Sequence, residues 1–485
     1  MRMTLRLTAL MVGGSFALGV GCGGADSTAG EGSPTAEPSR NALPAASMST
    51  APTLRFTVPV DAESPITFET LPNAQCALHV SEGGETAVVA ARADGLATFR
   101  LHPEVTSNKA VRLIADCAAG DRQQRHVLEL RALPGAPVPS EPPALRADSG
   151  VARPALAEAD IAALSQAELL KRGYPLRPDA QRSPHSYETW RRFVSKPSTY
   201  LPTQPEATSS RTRIEAPDSV QWDRERQPMA ASPHAAVNVK SGRTAGYQLL
   251  PVGSPYYFVD AVWTLPTFMG RQGASTNVIE HIGIDDGAGS AWTAGSQHTF
   301  TYIPAFGHVE TQMAFCTSIP GSPTSLGLAM APGDVIQAAV WLGTPEEGFN
   351  PWSGVGGCTF FNSTNGQVVS RRDVSLGGAD YSNSGAHFFV GRTPSAFGGL
   401  SDLTWFGRPD ISISPWIWNG VEASRWDGTT VHGDYFNNSP SDVAEWWMPG
   451  PWDETGFSLQ PIVYRSGELR FQWWWWDTEG YDPGY

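Results

Sequence analysis

Two stretches of this 485-residue chain carry side chains that could act together on a substrate. The first runs from Asn277 to Glu310, NVIEHIGIDDGAGSAWTAGSQHTFTYIPAFGHVE. VIEHIGID alternates like a strand, with Ile282 and Ile284 on one side and His281 and Asp285 on the other. Asp285-Asp286-Gly287-Ala288-Gly289 reads as a turn, because Asp tolerates left-handed backbone and Gly adopts it freely. A second strand from Ala291 to Gln297 puts Thr293, Gly295 and Gln297 on one face. A third run, HVETQMAF, puts Glu310 and Gln312 on a common face. The second stretch is Ala444-Glu445-Trp446-Trp447, where alternation groups Glu445 with Trp447. A carboxylate can take a proton from water, and a fixed hydroxyl or amide can stabilise the oxyanion that follows. A carboxylate among tryptophans loses hydration, so its pKa should rise. The same pattern also describes the solvent face of an ordinary sandwich.

The elements that must position these residues belong to an all-β protein. Gly and Pro are abundant (49 and 40 residues), as is Trp (17), which favours a loop-rich β architecture. From about residue 236 the chain falls into strand-like runs such as YYFVDAVWTLP, DVIQAAVWLG and CTFFN. Asn365-Gly366 marks a hairpin tip, and the spacing predicts an antiparallel lectin-like sandwich or jelly roll over 236–485. Residues 376–440, rich in Gly, Trp, Asn and Ser, read as an insertion between sandwich strands. Their aromatics either pack a large loop or form stacking platforms for sugar rings.

Upstream, residues 53–133 read as a small immunoglobulin-like sandwich, and 134–235 as a linker. Within that linker, 156–200 is helical. Ser165 and Glu168 make a capping box, and Ser183-Pro184 starts a second helix with Ser as its cap. This piece is either a spacer or a pro-segment that covers a cleft. Residues 1–22 read as an export signal with Arg2 and Arg6 ahead of an apolar run that ends at Cys22. It is similar to a bacterial lipoprotein signal with Cys22 acylated; the alternative is an ordinary secretory peptide. Residues 23–52 form a flexible tether. The remaining four cysteines suit an oxidising compartment, and segment boundaries favour Cys76–Cys117 and Cys316–Cys358. No Cys/His spacing suggests a metal site, and no cofactor is expected. A formal charge of −14 argues against nucleic-acid binding. No G-x-S-x-G elbow points to a serine nucleophile.

The order of motifs resembles the eqolisins, the glutamic peptidases. Ala245-Gly246-Tyr247 is similar to their opening motif, Trp263-Thr264-Leu265-Pro266 to their W-x-x-P strand, and Ile282-Gly283-Ile284-Asp285 to their V-G-[IL]-D strand. Glu310, Gly333-Asp334, Asn362 to Gly366 and Ala444-Glu445-Trp446 follow in the family order. The segment Gly173 to Ser195 resembles what precedes the catalytic domain in bacterial relatives. The resemblance implies a glutamate base at Glu445 and a glutamine oxyanion donor. Here Thr293 takes the glutamine position, and Gln297 lies four residues on, roughly 13 Å away at strand rise. His281 and Thr244 stand where the family has tryptophans. Glu310, His281, Asp285, Trp263 and Trp447 are the expected substrate-contacting residues.

The leading expectation is therefore an exported, monomeric glutamic-type endopeptidase at the outer membrane or cell surface. It would touch the membrane through its N-terminal lipid alone. The alternatives are a binding module for glycan or protein on the same scaffold, and a structural envelope lipoprotein. Anchoring has a direct test: Cys22→Ala should move the protein from membrane to soluble fractions, and unchanged sedimentation with membranes would exclude the lipid anchor.

Overall fold

A computed structural model describes residues 48–60, 62–80, 87–92, 94–103, 110–137, 150–181, 183–201, 237–240, 244–251, 253–269, 274–287, 290–303, 307–319, 324–346, 348–392, 402–403, 405–406, 416–438, 442–449, 457–463 and 469–475. The signal 1–22, with Cys22, and the connector from 202 to 236 lie outside these residues. All described residues belong to one unit, and it is predominantly β. Among them, no helix is long and apolar enough to cross a membrane.

The N-terminal layer is a sheet of β1 (Leu54–Pro59), β3 (Gln75–Val80), β4 (Ala87–Ala90), β6 (Ala110–Ala119) and β7 (Arg122–Leu133), which run in the spatial order β1–β7–β6–β3–β4. Residues 48–50, expected in the tether, add a short parallel strand to β7. A hairpin of β2 (Ser64–Glu69) and β5 (Leu96–Pro103) packs against that sheet through Ile66, Phe68, Phe99 and Leu101. Cys76 and Cys117 are opposite each other on β3 and β6 and are bonded.

Three short helices follow: α1 (Glu158–Ala163), α2 (Gln166–Lys171) and α3 (Pro184–Val194). The Ser165 and Glu168 capping box is formed as the sequence implies. Pro184 opens α3, but Ser183 does not cap it; its hydroxyl donates instead to the buried carboxylate of Glu422.

The larger sandwich holds two sheets. The first runs β5–β12–β11–β10–β16–β8–β18, where β8 is Thr244–Leu249, β10 is Thr276–Asp285, β11 is Ala291–Ile303, β12 is Gly307–Ile319, β16 is Gly385–Gly391 and β18 is Val443–Pro449. The N-terminal hairpin thus continues directly into this sheet, with Arg100 opposite Glu310. The second sheet runs β15–β14–β13–β9–β17, where β9 is Tyr256–Thr264, β13 is Val335–Leu342, β14 is Val355–Asn362, β15 is Gln367–Ser375 and β17 is Trp416–Arg425. The stretch 376–440, expected as an insertion, supplies a strand to each sheet: β16 between β10 and β8, and β17 beside β9. Its GAHFFVG segment is a period-2 strand, with Ala386, Phe388 and Val390 packed in the core.

Tyr247, Ile282, Trp292 and Phe388 of the first sheet meet Trp263, Val340, Phe360 and Trp418 of the second. Cys316–Cys358 joins the two sheets across this core. Closing a loop of 42 residues, it stabilises the fold by roughly 4 kcal/mol on chain-entropy grounds.

The helices cover the outer face of the second sheet. Trp190, Phe193 and Val194 pack on Phe361 and Val368, and Leu170 and Leu176 pack on Phe258 and Trp341. Beneath α3, Asp260 and Glu422 are direct cross-strand partners and both are buried. Gln337 donates to Asp260 at 2.8 Å. Burial pushes the Asp260 carboxyl up to about 7, with Gln337 and Ser186 offsetting part of that rise. The folded state therefore keeps this proton up to about pH 7, while a free carboxyl releases it near 3.8. A raised acid pKa makes the fold less stable as pH climbs through that window, and the penalty is complete above it. Asp260→Asn should remove this slope and raise stability at pH 8 by on the order of 4 kcal/mol. Denaturant unfolding of both proteins at pH 5 and pH 8 checks this.

Candidate functional site

Opposed residues on antiparallel strands share a face, so the register sorts the candidate residues. One row across the first sheet is Glu445, Tyr247, Phe388, Ile282, Ala294 and Cys316, and it faces the core. The adjacent row is Ala444, Gln248, His387, Gly283, Thr293 and Thr317, and it faces outward. Glu445 and Thr293 are thus on opposite faces and four strands apart, roughly 19 Å at normal strand spacing. They do not converge. Glu445 is half-buried beside Tyr247, whose hydroxyl donates to it at 3.5 Å, and Tyr247 stacks on Phe436 at 4.7 Å. Burial raises the Glu445 pKa, and the Tyr247 contact opposes that rise.

The outward face does gather a site. Asp285, His281 and Thr293 meet two residues that motif reading missed, His387 and Gln248, and all five are at most 2% exposed. His387 Nε2 lies 3.2 Å from His281 Nδ1, and His387 Nδ1 lies 3.5 Å from Asp285 Oδ2. Gln248 Nε2 donates to the same Asp285 oxygen at 3.3 Å, and the Gly287 N–H donates to the other at 3.2 Å. The His387 ring stacks on Phe389 at 5.0 Å. Among the described residues, His281 Nε2 has no hydrogen-bond partner. If a neutral His387 turns its Nδ1–H toward Asp285, its Nε2 accepts and His281 Nδ1–H is the donor to it. Burial, and after it the neighbouring His387, holds the His281 pKa well below the usual imidazole value. The arrangement is a base with a free lone pair, backed by a second imidazole and a carboxylate.

Gly283 makes room for this relay. A Cβ there would lie 2.6 Å from the His387 ring and 2.6 Å from the Thr293 methyl. Thr293 Oγ1 donates to the Thr317 carbonyl at 3.2 Å. Gln297 lies on the same face farther along β11, where its amide donates to Thr299 at 3.2 Å.

The other expected contact residues lie elsewhere. Trp263 is fully buried in the core and stacks on Trp418 at 5.0 Å. The Trp447 side chain is outside the described residues. Glu310 accepts from Gln312 at 2.8 Å and contacts His102 Nε2 at 3.0 Å. Burial would raise its pKa, but His102, Gln312 and Arg100 outweigh that and hold it low. Glu63, His102 and Glu310 bring ligand atoms within 4.8 Å of one another. Arg100 already bonds Glu63 there, so the group is an ion-pair network with its cation in place.

Also missed was a buried pair on the core face. His298 Nε2 lies 3.7 Å from Glu280 Oε1 and 3.2 Å from Ser296 Oγ. Burial drives Glu280 well up and His298 down to about 3, so a neutral acid faces a neutral imidazole. Both residues are fully buried.

No protein-family model matches the chain, and no curated protein matches it. Solved structures do. Scytalido-glutamic peptidase with a peptide-based transition-state analogue aligns at TM-score 0.36 and 17% identity, over 48% of this chain and 98% of that one. The same peptidase with a transition-state analogue inhibitor gives 0.35 at 17% identity, with the same coverage. SCP-B, an eqolisin-family peptidase in complex with the tripeptide Ala-Ile-His, gives 0.34 at 17% identity, again over 48% and 98%. The likeness concerns the fold alone.

Gly283→Ala tests the assembly of the relay. The added methyl should push His387 off His281 while the sheet persists. Histidine side-chain NMR should then show loss of the His281–His387 coupling with an unchanged far-UV spectrum.

Proposed function

We propose that this protein is an exported hydrolase of peptide bonds in which Asp285, His387 and His281 take the proton that a glutamate takes in eqolisins. The observation that carries this reading is His281 Nε2, without a partner among the described residues, at the end of a chain in which His281 bonds His387 and His387 lies against Asp285. The motif order discussed above supports the peptide substrate, and the signal-like segment supports export and anchoring.

In this reaction a water proton passes to His281 Nε2 as the oxygen attacks the carbonyl carbon. The imidazolium that forms keeps its Nδ1–H on His387, and the Asp285 carboxylate offsets the charge from the far side. The proton then leaves with the amine as the C–N bond breaks. Losing a general base of this kind costs about 10²–10⁴ in rate. The relay is closed to solvent in this conformation, so turnover needs the outer face to open. Glu445 is too far away to share in the proton transfer and serves to hold Tyr247.

The pH dependence has a definite sign. A depressed His281 pKa keeps the base neutral below the ordinary imidazole value of 6.5, so cleavage should persist on the acid side of that value. Digestion of a denatured protein, followed from about pH 2 to 8, is the assay. Wild type and Glu445→Gln should cleave alike, and His281→Gln and His387→Phe should be inactive though folded. Loss of activity in Glu445→Gln alone would place the base there. No cleavage by any of the four would leave a binding module on this scaffold.

A further inference from the structure

A second cleft lies on the far side of the sandwich, between the helical segment and the outer face of the second sheet. Its volume is about 510 Å³. The sheet side is Tyr257, Phe258, Glu422, Ser424 and Thr430, and Phe349 leans in from the loop after β13. Arg177 and Gln181 face them from the connection between α2 and α3, and Tyr187 from α3.

A strip of aromatic rings leads from solvent into this cleft. Trp352 and Trp426 are 53% and 44% exposed, unusual for residues of this size. They contact each other edge to face at 5.3 Å. Trp426 meets Tyr257 at 6.0 Å, and Tyr257 meets Phe349 at 6.0 Å. Both tryptophans are held at the backbone: the Trp426 N–H donates to the Pro255 carbonyl and the Trp352 N–H to the Asn350 side chain, each at 2.9 Å. The rings are thus presented on fixed turns and stay about half exposed to solvent.

We infer that this strip and cleft bind a neutral oligosaccharide. Exposed indole faces suit the C–H faces of pyranose rings, which offer apolar contact without requiring full dehydration of the hydroxyls. The cleft beyond them supplies hydroxyl, amide and carboxylate partners in place of a purely apolar lining. Glu422 lies at its floor, already accepting from Ser183 and Ser424, and its carboxylate is fixed to accept from a sugar hydroxyl. Among the described residues the cleft sets Asp179 and Glu422 against Arg177, whose guanidinium is bonded to the Ile161 carbonyl, and this balance disfavours an acidic sugar. The site is on the opposite side of the sandwich from the His281 relay, so it stands or falls independently of the proposed chemistry.

The test is calorimetric titration of the full-length protein with cellohexaose, maltohexaose and the N-acetylglucosamine hexamer, with decaproline as a peptide probe. At least one hexasaccharide should bind, and Trp426→Ala and Trp352→Ala should each weaken it about tenfold or more at unchanged melting temperature. Failure of all three sugars to bind, or equal binding by both variants, overturns the proposal. So does binding of decaproline alone, which would assign the strip to a peptide.

Discussion

The alternation of side chains along Thr276–Asp285 decides what this molecule can do. Even-numbered residues of that strand enter the core and odd-numbered ones face out, and the pairing on both sides carries that assignment across the whole first sheet. A one-residue slip would exchange the two sets. Gly283 is the point at which this constraint is tightest, since only a residue without Cβ leaves space for the His387 ring beside Thr293. The core row therefore holds Glu445, and the outer row holds His281, Asp285, His387 and Thr293.

Burial then sets the chemistry of each polar group. The molecule places several titratable side chains where charge is disfavoured, and the outcome depends on what each one meets. Glu310 meets a histidine and an arginine and stays ionised. Glu280 and His298 meet each other and the Ser296 hydroxyl, with apolar Phe268 against the ring, and are driven to neutrality. His281 is also neutral, but it differs in having His387 and Asp285 behind it. In the proposed function that chain is what lets His281 serve as the base.

Much of the scaffold was legible in the sequence. The strand around Ile282-Gly283-Ile284-Asp285, the hairpin ending at Gly366 and the Ser165–Glu168 capping box follow from local patterns, because each is fixed by backbone preference. What local patterns cannot give is the face a strand presents to its neighbours. Glu445 is followed by Trp446 and Trp447, which alternation puts on opposite faces, so its own segment carries no mark of which side is core. His387 lies in a Ser-, Asn- and Gly-rich stretch that resembles loop, and only pairing with Thr276–Asp285 shows it to be sheet. Ser183 has the sequence of a helix cap, yet the buried Glu422 carboxylate opposite it takes the hydroxyl.

The central claim is that His281 is a neutral base whose Nε2 lone pair is free. Nitrogen-15 NMR of the two imidazoles reads this directly. At pH 5, below the ordinary histidine value, His281 should be uncharged, with its proton on Nδ1 and Nε2 bare. An imidazolium signal for His281 at that pH, or a neutral tautomer protonated at Nε2, would contradict the account.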